Sequence, residues 1–173
     1  MKDGRIETAR LLLRPWQPGD AGDLFEIYRE AEVMRWLGDG TAKPLTDLAQ
    51  AQRAVTRRME NQNPKGLGLW AVEEKASGRV IGSCGLTPME GGPETEISYH
   101  LGKPHWGQGF ATEAAAPWLR HGLEVLHLPQ VFGMAYPENP ASLRVLRKIG
   151  MTYVGQEKHY GHMLEVYRAV STP

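Results

Sequence analysis

The ten residues Trp106-Gly-Gln-Gly-Phe-Ala-Thr-Glu-Ala-Ala115 constrain the fold more than any other stretch. Two glycines one residue apart follow a strand-like segment and precede a helix-forming run, which describes a tight loop opening straight into a helix. The first turn of a helix leaves backbone N–H groups without intrahelical partners, and the aligned peptide dipoles add partial positive charge there. Gly107 and Gly109 let the chain turn sharply and let a bulky anion approach the backbone. Phosphate is the natural guest of such a loop. A lone Gly-x-Gly is also ordinary turn chemistry, so the flanking segments decide its meaning.

Those segments describe a strand, a helix and a parallel strand. Thr95 to Leu101 reads as the strand before the loop. From Ala111 the small or apolar positions 111, 114, 115, 118, 119, 122, 123 and 126 recur at helical spacing, so one helix face lies on a sheet. Pro117 predicts a kink, because a proline inside a helix removes a hydrogen bond and clashes with the preceding turn. Gln130 to Tyr136 is the next strand, and a strand, helix, strand sequence of this length calls for a parallel crossover. Asn139 and Pro140 then supply an N-cap and a favoured first helical residue for a helix from about Pro140 to Ile149, closed by Gly150. Met151 to Lys158 and Met163 to Val170 read as a hairpin around His159-Tyr160-Gly161.

Upstream, Leu11 to Arg14 reads as a strand stopped by Pro15, followed by a helix that Asp20 caps. A short helix over Glu32 to Leu37 and a longer one capped by Thr46 follow, the latter with Leu48, Ala51, Val55 and Met59 at helical spacing. A breaker-rich loop from Asn61 to Gly68 leads to Leu69–Glu73, Val80–Leu86 and Thr95–Leu101, an antiparallel meander with turns at Ala76-Ser77-Gly78 and Glu90-Gly91-Gly92-Pro93.

At 173 residues the chain reads as a single domain over 1–173, long enough to bury roughly 70% of its unfolded surface. Lys plus Arg equals Asp plus Glu, and no basic cluster is dense enough to track a phosphate backbone, so no nucleic-acid partner is expected. The single cysteine, Cys84, reads as core, without a disulfide framework or a thiolate metal site. No apolar run approaches ~18 residues, and Asp3 and Glu7 stand where a signal peptide needs apolar residues. The expectation is a cytoplasmic protein without a membrane partner.

The loop Trp106-Gly-Gln-Gly-Phe-Ala-Thr112 and the segments Asn139-Pro-Ala-Ser142 and Lys148-Ile-Gly150-Met151 resemble the GNAT superfamily of acyl-CoA-dependent N-acetyltransferases. With the opening Thr8-Ala-Arg10-Leu-Leu-Leu-Arg14-Pro15, they are similar to its RimJ/RimL branch of ribosomal-protein N-acetylases. The resemblance covers nearly the whole chain. It implies an α/β (α+β) single domain, a mixed, mostly antiparallel sheet whose parallel strands splay apart to hold acetyl-CoA. The pantetheine arm would pair with the strand edge at Tyr99, His100 and Leu101. The pyrophosphate would sit on the amides of Gln108, Gly109, Phe110, Ala111 and Thr112, beside Trp106 and Gly107, with Thr112 adding a hydroxyl. Trp106 stands where many members carry Arg or Gln, so its indole is expected to pack rather than to pair. Asn139 would bind a pantetheine amide.

Acetyl transfer to an amine asks for three things. An amine attacks a thioester only when neutral, so a base must take its proton. The resemblance assigns this to Glu96, with Glu94 and His100 as fallbacks, since Glu94, Glu96, Ser98 and His100 share one strand face. The carbonyl oxygen that gains charge needs donors, for which the amides of Ser98 to Leu101 are the source. The departing sulfur needs a hydrogen bond. Many members use a tyrosine seven residues after the asparagine, a position that is Leu146 here, and the RimJ/RimL-like pattern offers Ser142 instead.

The acceptor is expected between the loop Trp36–Pro44 and the hairpin tip at His159-Tyr160. Tyr28, Trp36, Trp70 and Tyr160 are candidates to line it, though such aromatics also serve as core, and Glu94 with Glu96 would attract a cationic amine. A protein N-terminus and a small-molecule amine both remain open. His159-x-x-His162 lacks further ligands and reads as surface, so no metal is expected. A dinucleotide fingerprint fails on its missing third glycine and missing acidic partner, and a P-loop on its missing Gly-Lys-Ser/Thr. A non-catalytic acyl-CoA sensor or assembly module is the alternative. Exposed edges and a broad apolar helix face make a homodimer an expectation.

Overall fold

Alternating apolar residues and tight turns build a mixed sheet that carries helices on both faces. The computed structural model describes residues 4–61 and 67–171; Asp3 and most of the expected loop, at 62–66, lie outside them. A two-residue strand β1 (Ile6–Glu7), which the sequence reading did not include, precedes β2 (Leu11–Arg14). Three helices follow, α1 (Ala21–Tyr28), α2 (Ala31–Met34) and α3 (Leu48–Glu60). The meander is β3 (Gly68–Glu74), β4 (Arg79–Pro88) and β5 (Thr95–Leu101), then α4 (Phe110–Arg120), β6 (Gln130–Ala135), α5 (Pro140–Lys148), β7 (Thr152–His159) and β8 (His162–Val170). The spatial order is β1-β2-β3-β4-β5-β6-β8-β7, antiparallel throughout except between β5 and β6.

The strand alternation sorts side chains into two cores. Leu11, Leu13, Trp70, Val72, Leu86 and Ile97 meet Phe110, Ala114, Ala115 and Trp118 of α4 on one face. Ala71 and Val80 meet Leu24, Ile27, Val33 and Val55 of α1–α3 on the other. Cys84 is buried in the first core. Trp70, a candidate for the acceptor mouth, lies there too, edge-on to Trp118 at 5.1 Å. The pleat points it away from the α1–α3 face that carries the acceptor side.

Local chemistry departs from the sequence reading in three places. Asp20 does not cap α1: its carboxylate accepts from the buried Arg14 guanidinium at 2.8 and 2.9 Å and from the Gln17 N–H at 2.8 Å. A buried guanidinium needs a counter-charge more than a helix end needs a cap. The short second helix covers Ala31–Met34 rather than Glu32 to Leu37. The cap of α3 is Asp47, whose Oδ1 accepts from the Gln50 N–H at 2.9 Å, while the Thr46 hydroxyl accepts from the Gln50 side chain. Asp47→Ala is therefore expected to lower stability by about 1 kcal/mol in urea titration, and Thr46→Ala by less. α4 includes Pro117, and its spacing widens at His121–Val125, where the Leu126 N–H bonds the His121 carbonyl in π-helical register.

The hairpin tip follows its residues closely. Tyr160 and Gly161 both take positive φ, 51° and 80°, the conformation that a two-residue turn between twisted strands requires. β8 pairs with β6, so this tip swings back over the β4–β5 turn.

Candidate active site

The parallel pair β5 and β6 is joined at a single register point, Glu96 opposite Phe132. Beyond it the strands part. The Gly102 N–H bonds Ile81 on the β4 side, so strand alternation turns the backbone groups of Tyr99 and Leu101 towards the gap. The gap opens into a cavity of about 870 Å³ that reaches from the glycine loop to the hairpin tip.

At one end Gly107 and Gly109 take φ of 74° and 84°, and Gly109 is the N-cap of α4. The Glu113 N–H makes the first helical bond, to the Gly109 carbonyl. The amides of residues 108–112 have no acceptor among the described residues. Arg10 braces the loop from outside: its guanidinium donates to the Gln108 carbonyl at 3.1 Å, pairs with Glu113 and lies 4.1 Å over the Phe110 ring. Thr8 adds a 2.7 Å bond to Glu113, so the opening Thr8-Ala-Arg10 segment holds the helix start in place.

The Trp106 indole differs from the expectation that it only packs. Its Nε1–H donates to the Leu101 carbonyl at 2.8 Å, tying the end of β5 to the glycine loop. A half-exposed indole beside a strand end satisfies its one donor with the nearest unpaired carbonyl.

At the apex of the gap the two faces of β5 carry different chemistry. On the α5 side, Tyr99 Oη lies 2.9 Å from Ser142 Oγ and donates to the Ser142 carbonyl at 3.0 Å. Burial pushes the Tyr99 phenol above its ordinary range. Asn139 Oδ1 caps α5 by accepting from the Ser142 N–H at 3.1 Å, and its amide nitrogen has no partner among the described residues. Leu146 is fully buried in the core, so no side chain from that position enters the cavity.

On the opposite face, Glu96 Oε1 accepts from Tyr160 Oη at 3.0 Å, Ser98 Oγ at 3.2 Å and Thr87 Oγ1 at 3.4 Å. All three donors converge on one oxygen, leaving Oε2 without a partner among the described residues. Burial raises the Glu96 carboxyl above its ordinary range, and the Tyr160, Ser98 and Thr87 bonds oppose that rise. Tyr160 in turn is pushed up to about 12 by burial and by the Glu96 charge.

Comparison with known proteins adds the family. A family model described as the acetyltransferase (GNAT) domain matches residues 10–152. The chain belongs to the GNAT family. YkkB of Bacillus subtilis is 31% identical over 170 residues, covering 96% of each chain. The N-acetyltransferase p20 of Bacillus licheniformis is 30% identical over 168 residues, covering 94% of this chain and 92% of p20. The fold is shared with RimL, a ribosomal L7/L12 alpha-N-protein acetyltransferase solved with coenzyme A, at a TM-score of 0.78 and 17% identity, covering 96% and 98%. The chain is thus an acetyl-CoA-dependent acetyltransferase of α/β fold, and its residues suit that ligand: unpaired amides at 108–112 for a diphosphate, and a free strand edge in the gap for an amide-bearing arm.

Within this GNAT domain the cavity brings together Glu96, Tyr99, Leu101, Trp106, Gly107, Gly109, Phe110, Ala111, Thr112, Asn139 and Ser142, and also Tyr28, Trp36 and Tyr160. His100 lines it from the acceptor face, its ring 2.8 Å from Tyr28 Oη and 3.0 Å from Ser83 Oγ. Burial, helped by the Arg58 charge, holds His100 down to about 3, which makes it a poor base. Gln108 and Glu94 do not line the cavity. The Gln108 side chain donates to the Pro104 carbonyl at 2.7 Å, while Glu94 precedes the first residue of β5 and folds its carboxylate against Gly92 in the turn. His159 pairs with Glu157 at 3.2 Å and His162 lies 2.7 Å from the Asp39 carbonyl, and no metal-sized group of His, Cys, Asp or Glu occurs among the described residues. No helix among them is long and apolar enough to cross a membrane.

Sequence reasoning missed the Tyr99 contact with Ser142, the Arg10 brace, the Trp106 bond and Arg58. Strand alternation placed Tyr99 on the α5 face; that signal was available and went unused.

Proposed function

We propose that this GNAT enzyme acetylates a primary amine, a protein N-terminus or a small-molecule amine, by direct attack on the acetyl thioester. Acetyl-CoA supplies the activated acetyl group. Glu96 Oε2 takes the amine proton, directly or through one water, so that the nitrogen attacks as the free base. The N–H groups of Tyr99 and Leu101 on the open edge are the donors for the carbonyl oxygen as it gains charge. Ser142 Oγ donates to the departing sulfur, and Tyr99 Oη, 2.9 Å away, turns its one proton from the Ser142 carbonyl to Ser142 Oγ to free that hydroxyl for the task. Asn139 Nδ2 is the donor for a pantetheine carbonyl, and Arg144 and Lys148 add positive charge to the α5 rim of the cavity.

One observation carries this reading: at the point where the parallel strands part, an enclosed carboxylate with a free oxygen lies on one face of β5 and a paired serine and tyrosine lie on the other. A thioester in the gap has a proton acceptor on its attacking side and a donor on its leaving side.

The test is thiol release from acetyl-CoA across a panel of amines, with the acetylated product identified by mass. Coenzyme A binding in calorimetry with no amine-dependent thiol release would turn the reading to an acyl-CoA sensor. Ser142→Ala is expected to slow turnover about tenfold with little change in coenzyme A affinity, since it removes one hydrogen bond from the leaving group. Full activity in that variant would hand the role to water.

A further inference from the structure

The acceptor side of the cavity contains a cation that the reaction does not use. Arg58, near the end of α3, lines the cavity and lies over the rings of Tyr28 and Trp16 at 5.1 and 5.3 Å. Its Nη2 donates to Tyr28 Oη and its Nη1 to the Ala54 carbonyl at 3.3 Å. Its Nε is buried and has no partner, and no carboxylate pairs with the guanidinium among the described residues. A guanidinium has five N–H donors, and only two are used here. His100, next in the chain of contacts through Tyr28, is neutral and offers no counter-charge. A half-buried cation on the cavity wall, with spare donors and no carboxylate partner, suits an anionic group of a ligand.

Glu96 and His100 are four residues apart on the same face of β5, which sets the carboxylate and the Arg58 end of the groove about 13 Å apart at the backbone. Val33, Met34, Leu37 and Leu164 add apolar side chains to the cavity lining, and Ser98 stands on the same β5 face between Glu96 and His100. A negative group at one end, a positive one at the other and a lining of apolar side chains with the Ser98 hydroxyl, already bonded to Glu96, form the complement of a particular kind of molecule. We propose that the acceptor is zwitterionic, a primary amine joined by an aliphatic spacer to a carboxylate, with the amine at Glu96 and the carboxylate on Arg58. Diamines, which would set a second cation against Arg58, are then disfavoured. This inference rests on the reading of Glu96 as the amine end.

The test compares ω-aminohexanoate with hexanediamine and hexylamine as acceptors. The wild-type enzyme is expected to favour the amino acid over the diamine by about ten- to a hundredfold in kcat/KM, the scale of one hydrogen-bonded charge contact. Arg58→Met should bring that ratio close to one, and Arg58→Lys should keep part of it. Because Arg58 stacks on two core rings, each variant is checked by thermal melting. A wild-type ratio of one or below, or a ratio unchanged in a folded Arg58→Met protein, overturns the proposal. Calorimetry with N-acetyl-ω-aminohexanoate in the presence of coenzyme A separates the two readings. Binding that depends on Arg58 without turnover of any amine keeps the carboxylate site and removes the transferase assignment; turnover of diamines alone does the reverse.

Discussion

Gly109→Val is expected to abolish measurable coenzyme A binding in a protein that still folds. Gly109 has φ of 84°, a region that a β-branched residue enters only at a cost of roughly 1–2 kcal/mol. The backbone escapes that cost by rotating, and this residue is the N-cap whose orientation fixes where the amides of 108–112 point. A Cβ there would also stand 3.6 Å from Arg10 Nη2, so the added methyl groups press on the guanidinium that holds the Gln108 carbonyl. Turning even two N–H donors away from a diphosphate removes two charge-assisted bonds, a loss of about a hundredfold or more in Kd. Calorimetry with coenzyme A measures it, and a melting curve near that of the wild type confirms folding. Undiminished affinity in a folded variant would rule out the glycine loop as the phosphate site.

The sequence was most legible where a residue's role depends on its own backbone. Gly107 and Gly109 predict a left-handed loop before α4, Asn139-Pro140 predicts the start of α5, and Tyr160-Gly161 predicts the turn between β7 and β8. Each of these is settled within a few residues of chain. It was least legible where a side chain answers to a distant partner. Asp20 has the local signature of a cap, yet the buried Arg14 claims it. Glu94 alternates with Glu96 on paper, but it precedes the first residue of β5, and although its carbonyl accepts from the Met89 N–H its carboxylate folds back against Gly92 in the turn. Arg58 follows Ala51 by seven residues and Val55 by three, at the edge of the buried stripe of α3, and only the packing of α1 against α3 reveals that its guanidinium meets Tyr28. Tyr99 and Ser142 are 43 residues apart, and their contact depends on how α5 lies across the open end of the sheet.

Glu96→Gln is expected to lower turnover by about a hundredfold or more, because glutamine preserves shape and hydrogen bonding but takes no proton. Three signatures separate loss of a base from general damage. The first is the pH profile. Burial holds the Glu96 carboxyl above the usual glutamate range, and the enzyme is active only with that group ionised, so wild-type kcat/KM should fall as pH drops through the raised value. In Glu96→Gln this acid limb should disappear, leaving the deprotonation of the amine to set the profile. The second is Tyr160→Phe. The Tyr160 hydroxyl favours the Glu96 anion, so its removal raises the carboxyl further and should move the acid limb to higher pH while turnover above it persists. The third is stability. A carboxyl whose pKa is raised by folding favours the folded state when protonated and loses that advantage as pH rises through its folded value. At neutral pH the ionised Glu96 therefore costs stability, and Glu96→Gln should melt at or above the wild-type temperature. A fast Glu96→Gln enzyme, or a slow one that keeps the wild-type acid limb, would move the proton to another acceptor on the same face.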